Sequence, residues 1–241
     1  MTLSTINGVI PARSAGELEE LARIAGPELE LAPAELIIEW AVETFGSRFC
    51  ITSSMSDAVL ADIASKVTPG IDVVFLDTGY HFAETIGTRD AVAATLPVNL
   101  ITVGADATVA EQDAAEGKDL FARDPDRCCF LRKVKPLQDA LSGYDAWATG
   151  LRRDETHNRV ITPVVGWDPK KEKVKVSPIA RWTEDDVERY IAENGVLVNP
   201  LRYDGYPSIG CWPCTQRVAP GEDARSGRWA DSDKNECGIH F

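Results

Sequence analysis

Between residues 48 and 104 a short apolar run gives way to a polar turn and then an amphipathic helix, twice in succession, and the stretch closes on a third apolar run. RFCIT (48–52) is followed by SSMSD (53–57) and AVLADIASK (58–66). DVVFLD (72–77) is followed by TGYH and FAETIGTRDAVAATL (82–96), and VNLITVG (98–104) comes next. Strands that alternate with helices cannot pair through tight hairpins; the helical crossovers make neighbouring strands parallel and cover both faces of the sheet. The pattern therefore predicts an α/β fold, a mostly parallel twisted sheet with helices on both faces.

The rest of the chain is consistent with that frame. Residues 13–25 and 33–45 read as amphipathic helices, with Pro33 and Glu35 suited to a first turn. A polar stretch occupies 103–127. FLRKVKPLQDALSG (130–143) is helical, with Leu131, Val134, Leu137 and Leu141 on or near one face and Pro136 placed to start or kink it. YDAWATG reads as a strand that ends at the turn GLRRDETHNR. Residues 160–179 read as two strands around a turn at Asp168-Pro169, and TEDDVERYIAENG as a helix from a Thr183/Asp186 cap to a Gly195 stop. From Asn199 onward no regular element is expected. The organisation predicted is one α/β nucleotide-binding domain over 1–234 and a mobile tail over 235–241.

The net charge of −13 argues against a broad nucleic-acid or anionic-membrane surface, so any anionic ligand needs a local group of Arg or Lys. No long uncharged apolar run predicts a membrane helix, and MTLSTINGVIPARSAGELEE lacks a basic segment followed by an apolar core. A cytoplasmic protein is expected.

In a reducing compartment six cysteines point to metal or redox chemistry before disulfides. Cys128-Cys129 and the CxxC of GCWPC (Cys211, Cys214) together offer four thiolates. Adjacent cysteines are awkward on one small zinc ion, whereas the irons of a cubane sit at separate corners. Spacing favours a cluster over zinc, and either over two core cysteines with a thioredoxin-like redox pair. Cys50 lies inside an apolar strand and reads as a small core residue. Cys237 is either an incidental terminal thiol or a nucleophile on a moving tail.

SSMSD opens a helix after the first strand. Ser53, Ser54 and Ser56 either cradle a phosphate or, with Asp57, simply cap the helix. Neither GxxxxGK[ST] nor GxGxxG occurs. LDTGY sits at the carboxyl end of the second strand, the edge where open α/β sheets bind ligands. Arg152, Arg153 and Arg159 in one turn, and Arg225 with Arg228 in another, are candidates for an anion pocket or for ordinary pairs with Asp and Glu.

Taken together, SSMSDAVL (53–60), LDTGYHFAET (76–85), CCFLRKVKPL (128–137), WATGLRRDET (147–156), GCWPCT (210–215), GRW (227–229) and ECGIH (236–240) resemble the assimilatory adenylyl-sulfate reductases, relatives of the phosphoadenylyl-sulfate reductases. Relatives that prefer the 3′-phosphorylated substrate generally lack the CC and CxxC pairs. Two departures stand out: Ser54 and Met55 replace the Phe and Gly often found in the family's first loop, and DPDR precedes the CC pair where a His is common. The resemblance implies an adenine nucleotide alpha hydrolase-like fold and one [4Fe-4S] cluster on Cys128, Cys129, Cys211 and Cys214. It implies substrate contacts from Ser53, Ser54, Ser56, Leu76, Asp77, Thr78, Gly79, Lys133, Gly150, Arg159, Arg225 and Arg228, and Cys237 as nucleophile.

The reaction so implied is attack of the Cys237 thiolate on the sulfur of adenosine 5′-phosphosulfate, with AMP leaving and an enzyme thiosulfonate remaining, which thioredoxin or a similar dithiol protein resolves to sulfite. Its place is assimilatory sulfate reduction and cysteine biosynthesis. A phosphoadenylyl-sulfate or dual-specificity reductase is the nearest alternative. An ATP-pyrophosphatase-type adenylylating transferase shares the scaffold but usually carries SGGxDS in the first loop, and a zinc-binding module is a third. No nucleic-acid or membrane partner is expected, and a homo-oligomer is left open.

Overall fold

The computed structural model describes residues 11–230, 232, 234 and 236–240, so residues 1–10, half of the stretch read for a leader, lie outside it, as do Asn235 and Phe241 of the expected tail. In chain order the elements are α1 (Ala15–Leu29), α2 (Ala34–Phe45), β1 (Phe49–Thr52), α3 (Val59–Val67), β2 (Ile71–Asp77), α4 (Ala83–Thr95) and β3 (Val98–Gly104). Then come α5 (Val109–Glu116), α6 (Leu120–Arg123), α7 (Pro125–Cys129), a π turn at Phe130–Val134, α8 (Lys135–Ala140), β4 (Ala146–Ala148), β5 (Val165–Asp168), β6 (Lys173–Val176) and α9 (Glu184–Asn194). Among the described residues the strands form one six-stranded sheet in the order β3-β2-β1-β4-β6-β5. Every pairing is parallel except that of β5 with β6, the hairpin at the edge.

Period-two alternation puts the central strands between two apolar layers. Phe49, Ile51, Val73, Phe75, Ala146 and Ala148 face a core built with α1, α2, α3 and α9. The intervening Cys50, Val74 and Trp147 face the other side, against Leu137 of α8 and Leu141 just beyond it. Cys50 is thus the small core residue its strand predicted; burial pushes its thiol up out of the reactive range. Among the described residues no helix is long and apolar enough to cross a membrane.

Two stretches differ from expectation. The polar stretch 103–127 contains helices α5 to α7, although it lacks a strong apolar repeat. Two of the three starts were readable: Thr108 and Glu111 close a capping box on α5, and Asp124 accepts the Arg127 N–H at the start of α7, with Pro125 in its first turn; α6 has no side-chain cap. The helix expected over 130–143 is continuous with α7 but widens at 130–134. Pro136 has no N–H to give the turn before it, and the Lys135 N–H reaches back to the Phe130 carbonyl, a five-residue step. The strand order reverses direction between β1 and β4, the switch point where the loops after neighbouring strands diverge and leave a crevice.

Candidate active site at the carboxyl edge of the sheet

The SSMSD loop leaves β1 at that edge. Met55 adopts φ +58, the left-handed region that costs a side chain about 1–2 kcal/mol. It is held there by the Ser53 hydroxyl, which accepts the Met55 N–H at 3.2 Å, and by the Asn199 side-chain amide, which donates to the Met55 carbonyl at 3.1 Å. The backbone thus takes a glycine-like course where the family often has glycine. Ala58 stands at the N-cap of α3 with no side-chain cap, and Asp57 just before it accepts the Val59 N–H at 3.1 Å while pairing with Arg202 at 2.8 Å. Ser54 is exposed, and Ser53 and Ser56 are half-buried.

The LDTG turn leaves β2 beside it. The Asp77 carboxylate accepts the Gly79 N–H at 2.9 Å, and Gly79 takes φ +72 with its open side against the Arg132 guanidinium. Leu76 offers its carbonyl to His81 Nε2 at 2.7 Å. Arg132 is 4% exposed, and no motif in the sequence marks it as a site residue. Its Nε donates to the Thr78 carbonyl, and its Nη1 donates to Gln112 Oε1 at 2.9 Å and to the Ala107 carbonyl at 3.3 Å. It ties the widened turn that follows Cys128 and Cys129 to the end of β2 and to α5. The only sequence signal was an arginine within a helix whose apolar face is otherwise Leu and Val. Gly150 is exposed just beyond β4.

Cys128, Cys129, Cys211 and Cys214 line one cavity together with Arg132 and Lys133. The CxxC loop is fixed against the LDTG segment: Trp212 donates its N–H to the Tyr80 carbonyl at 2.8 Å, and Cys211 Sγ lies 3.3 Å from Thr78 Oγ1. Thr215 closes the loop on itself, its hydroxyl donating to the Cys211 carbonyl at 2.9 Å. Among the described residues, no three His, Cys, Asp or Glu side chains converge on one point as a single ion requires. Burial pushes the Cys128 thiol up to about 11, helped by Cys211 and Cys214, and the same crowding raises Cys214. Four thiolates in this cavity need positive charge among them, which is what a cluster's iron provides.

Cys237 sits against this group. Its thiol is depressed to about 5 by the Cys129 S–H, which donates to it, then by Lys133, the Ile239 N–H and Arg228, against the opposing effect of burial. Cys129 moves the other way as the donor of that pair. Burial works against the charge on Lys133, but the thiols of Cys211, Cys237 and Cys129 outweigh it and raise its pKa. Arg228 stacks on Trp229, 4.5 Å from the ring centre, and donates to the Ser208 hydroxyl at 3.2 Å; its Nε has no partner among the described residues.

The described tail residues 236–240 are docked. Glu236 accepts from Arg159 Nε at 2.9 Å and Nη2 at 2.7 Å, and from the Thr156 hydroxyl at 3.0 Å; Arg225 lies 3.5 Å from the same carboxylate. Arg159 Nη1 donates to Glu155 at 2.6 Å. Lys171 donates to the Ile239 carbonyl at 2.8 Å and Lys175 to that of His240 at 3.1 Å. Lys133, Arg159, Arg225 and Arg228 are thus gathered around one short segment. Arg152 and Arg153 are not among them: they pair with Asp154 and Glu184, and with Glu30.

The chain matches the phosphoadenosine phosphosulfate reductase domain family over residues 49–217. It is 64% identical to an adenosine 5′-phosphosulfate reductase of Streptomyces coelicolor, over 95% of this chain and 97% of that one. It is 57% identical to the protein of that name from Mycolicibacterium smegmatis, over 93% of this chain and 95% of that one. A phosphoadenylyl-sulfate reductase of Candida auris, solved as a phosphate complex, superposes with a TM-score of 0.70 at 28% identity, covering 88% of this chain and all of that one. An FMN adenylyltransferase of Candida glabrata shares the fold alone, with a TM-score of 0.53 at 10% identity over 85% of this chain and 76% of that one.

Proposed function

Because the chain belongs to the phosphoadenosine phosphosulfate reductase family, we propose that it is the reductase that converts adenosine 5′-phosphosulfate to sulfite and AMP in assimilatory sulfate reduction, on the way to cysteine. The observation that carries this reading is the docked tail: Arg159 holds Glu236, Gly238 lies against Val134, and Cys237 between them lies within electrostatic reach of Lys133 and Arg228. The relatives above half identity carry the adenosine 5′-phosphosulfate name, which supports the substrate without a 3′-phosphate.

The Cys237 thiolate attacks the sulfur of the phosphate–sulfate anhydride. An S–S bond forms, the S–O bond to phosphate breaks, and AMP leaves with the electron pair. Lys133 and Arg228 offset the repulsion between thiolate and sulfate and stabilise charge on the leaving oxygen. A thiolate of thioredoxin then attacks Cys237 Sγ and releases sulfite, and the partner's second thiol closes its disulfide and returns the Cys237 thiolate. The dithiol supplies the electron pair that takes sulfur from sulfate to sulfite. Chemistry that depends on reduced thiols belongs in a reducing compartment, the cytoplasm.

The cavity suits a [4Fe-4S] cluster on Cys128, Cys129, Cys211 and Cys214 by the chemistry of its donors: two pairs of thiols, each pair on one short segment, line the same cavity beside Lys133. When bound, the group would join the two cysteine segments and add local charge, with no electron routed through it. Cys129, taken as a ligand, no longer donates to Cys237; Lys133, the Ile239 N–H and Arg228 remain to favour the thiolate against the opposing effect of burial. Purified anaerobically, the protein should contain about four iron and four sulfide per chain; zinc without sulfide would rule the cluster out. The test of the reaction is sulfite release from labelled adenosine 5′-phosphosulfate with a dithiol partner, run beside the 3′-phosphorylated substrate. Turnover of only the latter moves the assignment to the alternative reductase, and sulfite from neither sinks the reading.

A further inference from the structure

The four cations implied for the substrate are not equivalent. Arg159 is 6% exposed, and all of its side-chain nitrogens are committed to carboxylates: Nη1 to Glu155, Nε and Nη2 to Glu236. The Glu236 side chain is itself 10% exposed, and a carboxylate taken that far from water persists only when its oxygens are well bonded. Arg159 and Thr156 meet that demand, with Arg225 close by. Lys133 and Arg228 stand differently: among the described residues neither has a carboxylate partner, and both lie within the electrostatic reach of Cys237.

On the other side of Cys237 the tail has a second hold. Lys171 and Lys175, from the β5–β6 hairpin, donate to the Ile239 and His240 carbonyls. The His240 ring lies parallel to Trp147 at 6.1 Å between centres, and Ile239 packs on the core around Trp147. Cys237 is therefore bracketed, by a carboxylate anchor one residue before it and a backbone-and-ring anchor two and three residues after it.

We propose that Glu236 is a positioning residue: its ion pair with Arg159 seats the tail so that Cys237 is already beside Lys133 and Arg228 when the anion arrives. In this docked state Arg159 serves the nucleophile's placement, and the anion falls to Lys133 and Arg228. The inference deepens the reaction proposed above and rests on Cys237 as its nucleophile.

The test uses the full-length, cluster-loaded protein carrying Glu236→Ala, Glu236→Gln or Glu236→Asp. Hydrogen exchange of the tail amides reads docking without substrate, single-turnover labelling by adenosine 5′-phosphosulfate reads thiosulfonate formation, and calorimetry reads AMP affinity. Ala and Gln should each lose about tenfold or more of the tail's protection, the scale of one charge-assisted hydrogen bond. They should slow adduct formation in step and leave AMP affinity within about twofold, while Asp recovers part of both losses. Unchanged tail protection in Glu236→Ala overturns the proposal. So does an AMP affinity that falls in Arg159→Ala as far as adduct formation slows, since Arg159 then holds the nucleotide. A wild-type protein that forms no thiosulfonate contradicts the proposed reaction instead, and the exchange data still judge the anchor.

Discussion

Single side chains in this molecule often serve two demands at once, and magnitude decides which prevails. Met55 bears the cost of a left-handed backbone yet is fully buried. Replacing it with glycine relieves about 1–2 kcal/mol of strain but forfeits packing of the kind that costs about 2–5 kcal/mol when a buried Met is cut to Ala. Met55→Gly should therefore lower stability by about 1–3 kcal/mol in denaturant melts, and a stabilised variant would show that the backbone strain dominates. Cys237, the nucleophile of the proposed reaction, is the opposite case, with a role that would rest on its thiol rather than on its packing. Cys237→Ser should keep the cluster and AMP binding but form no covalent adduct, because a serine hydroxyl is a far weaker nucleophile at neutral pH. A sulfonate mapped by mass spectrometry to Cys50 instead would count against the assignment, although that thiol is buried and held protonated.

At the level of elements, the widened turn at Phe130–Val134 does what a regular helix could not. It follows directly on Cys128 and Cys129 and carries Arg132 into the LDTG turn and Lys133 toward the cysteine cavity. Arg132→Ala would leave the Thr78 and Ala107 carbonyls and Gln112 without their donor. A loss of about 3 kcal/mol or more is expected for such a buried network, together with loss of the iron chromophore near neutral pH. Retention of the chromophore at full intensity would show that the cysteine segments hold themselves. The tail is the other element whose behaviour follows from its contacts. Burial and the neighbouring Lys175, Arg159, Lys171 and Arg225 hold His240 well below its ordinary value near 6.5. Burial opposes the charge on Glu236, but Arg159 prevails and keeps its carboxyl low. In both cases the docked form binds fewer protons than the free tail, so docking is strongest at higher pH. The depressed Cys237 thiol adds a loss of the same sign as pH falls below the ordinary thiol range. A further loss should follow through about 6.5 to 5, where the free His240 takes its proton, and another in the carboxylate range. Hydrogen exchange of the tail from pH 8 to 5 reads this, and His240→Phe should remove the step near 6.5 while leaving the others.

For the molecule as a whole, a parallel sheet closed on both faces forms the foundation, and the tail is added to it. The larger core is built within residues 18–196, and among the described tail residues Ile239 packs on the smaller core around Trp147 while the His240 ring lies against Trp147 itself. Deleting residues 235–241 should therefore leave a cooperative thermal transition within a few degrees of the full chain, with iron content intact and sulfite formation abolished. A deletion that unfolds the protein would make the tail part of the foundation.

Much of this was legible in the sequence because it is local. Alternation with periods of two and 3.6 residues gives the strands and helices of a parallel sheet, Thr183 with Asp186 marks where α9 starts, and the CC and CxxC pairs announce a shared sulfur site. Of the helices at 109–129, α5 and α7 could be found only through their caps, because neither face of so short a helix repeats often enough to show. Tertiary structure alone decided which charges meet. Arg152 and Arg153 look no different from Arg159 in the chain, yet they pair with Glu184 and Glu30, while Arg159 reaches Glu236 across 77 positions. An ion pair depends on where folding brings two charges through space, and no local pattern records that distance.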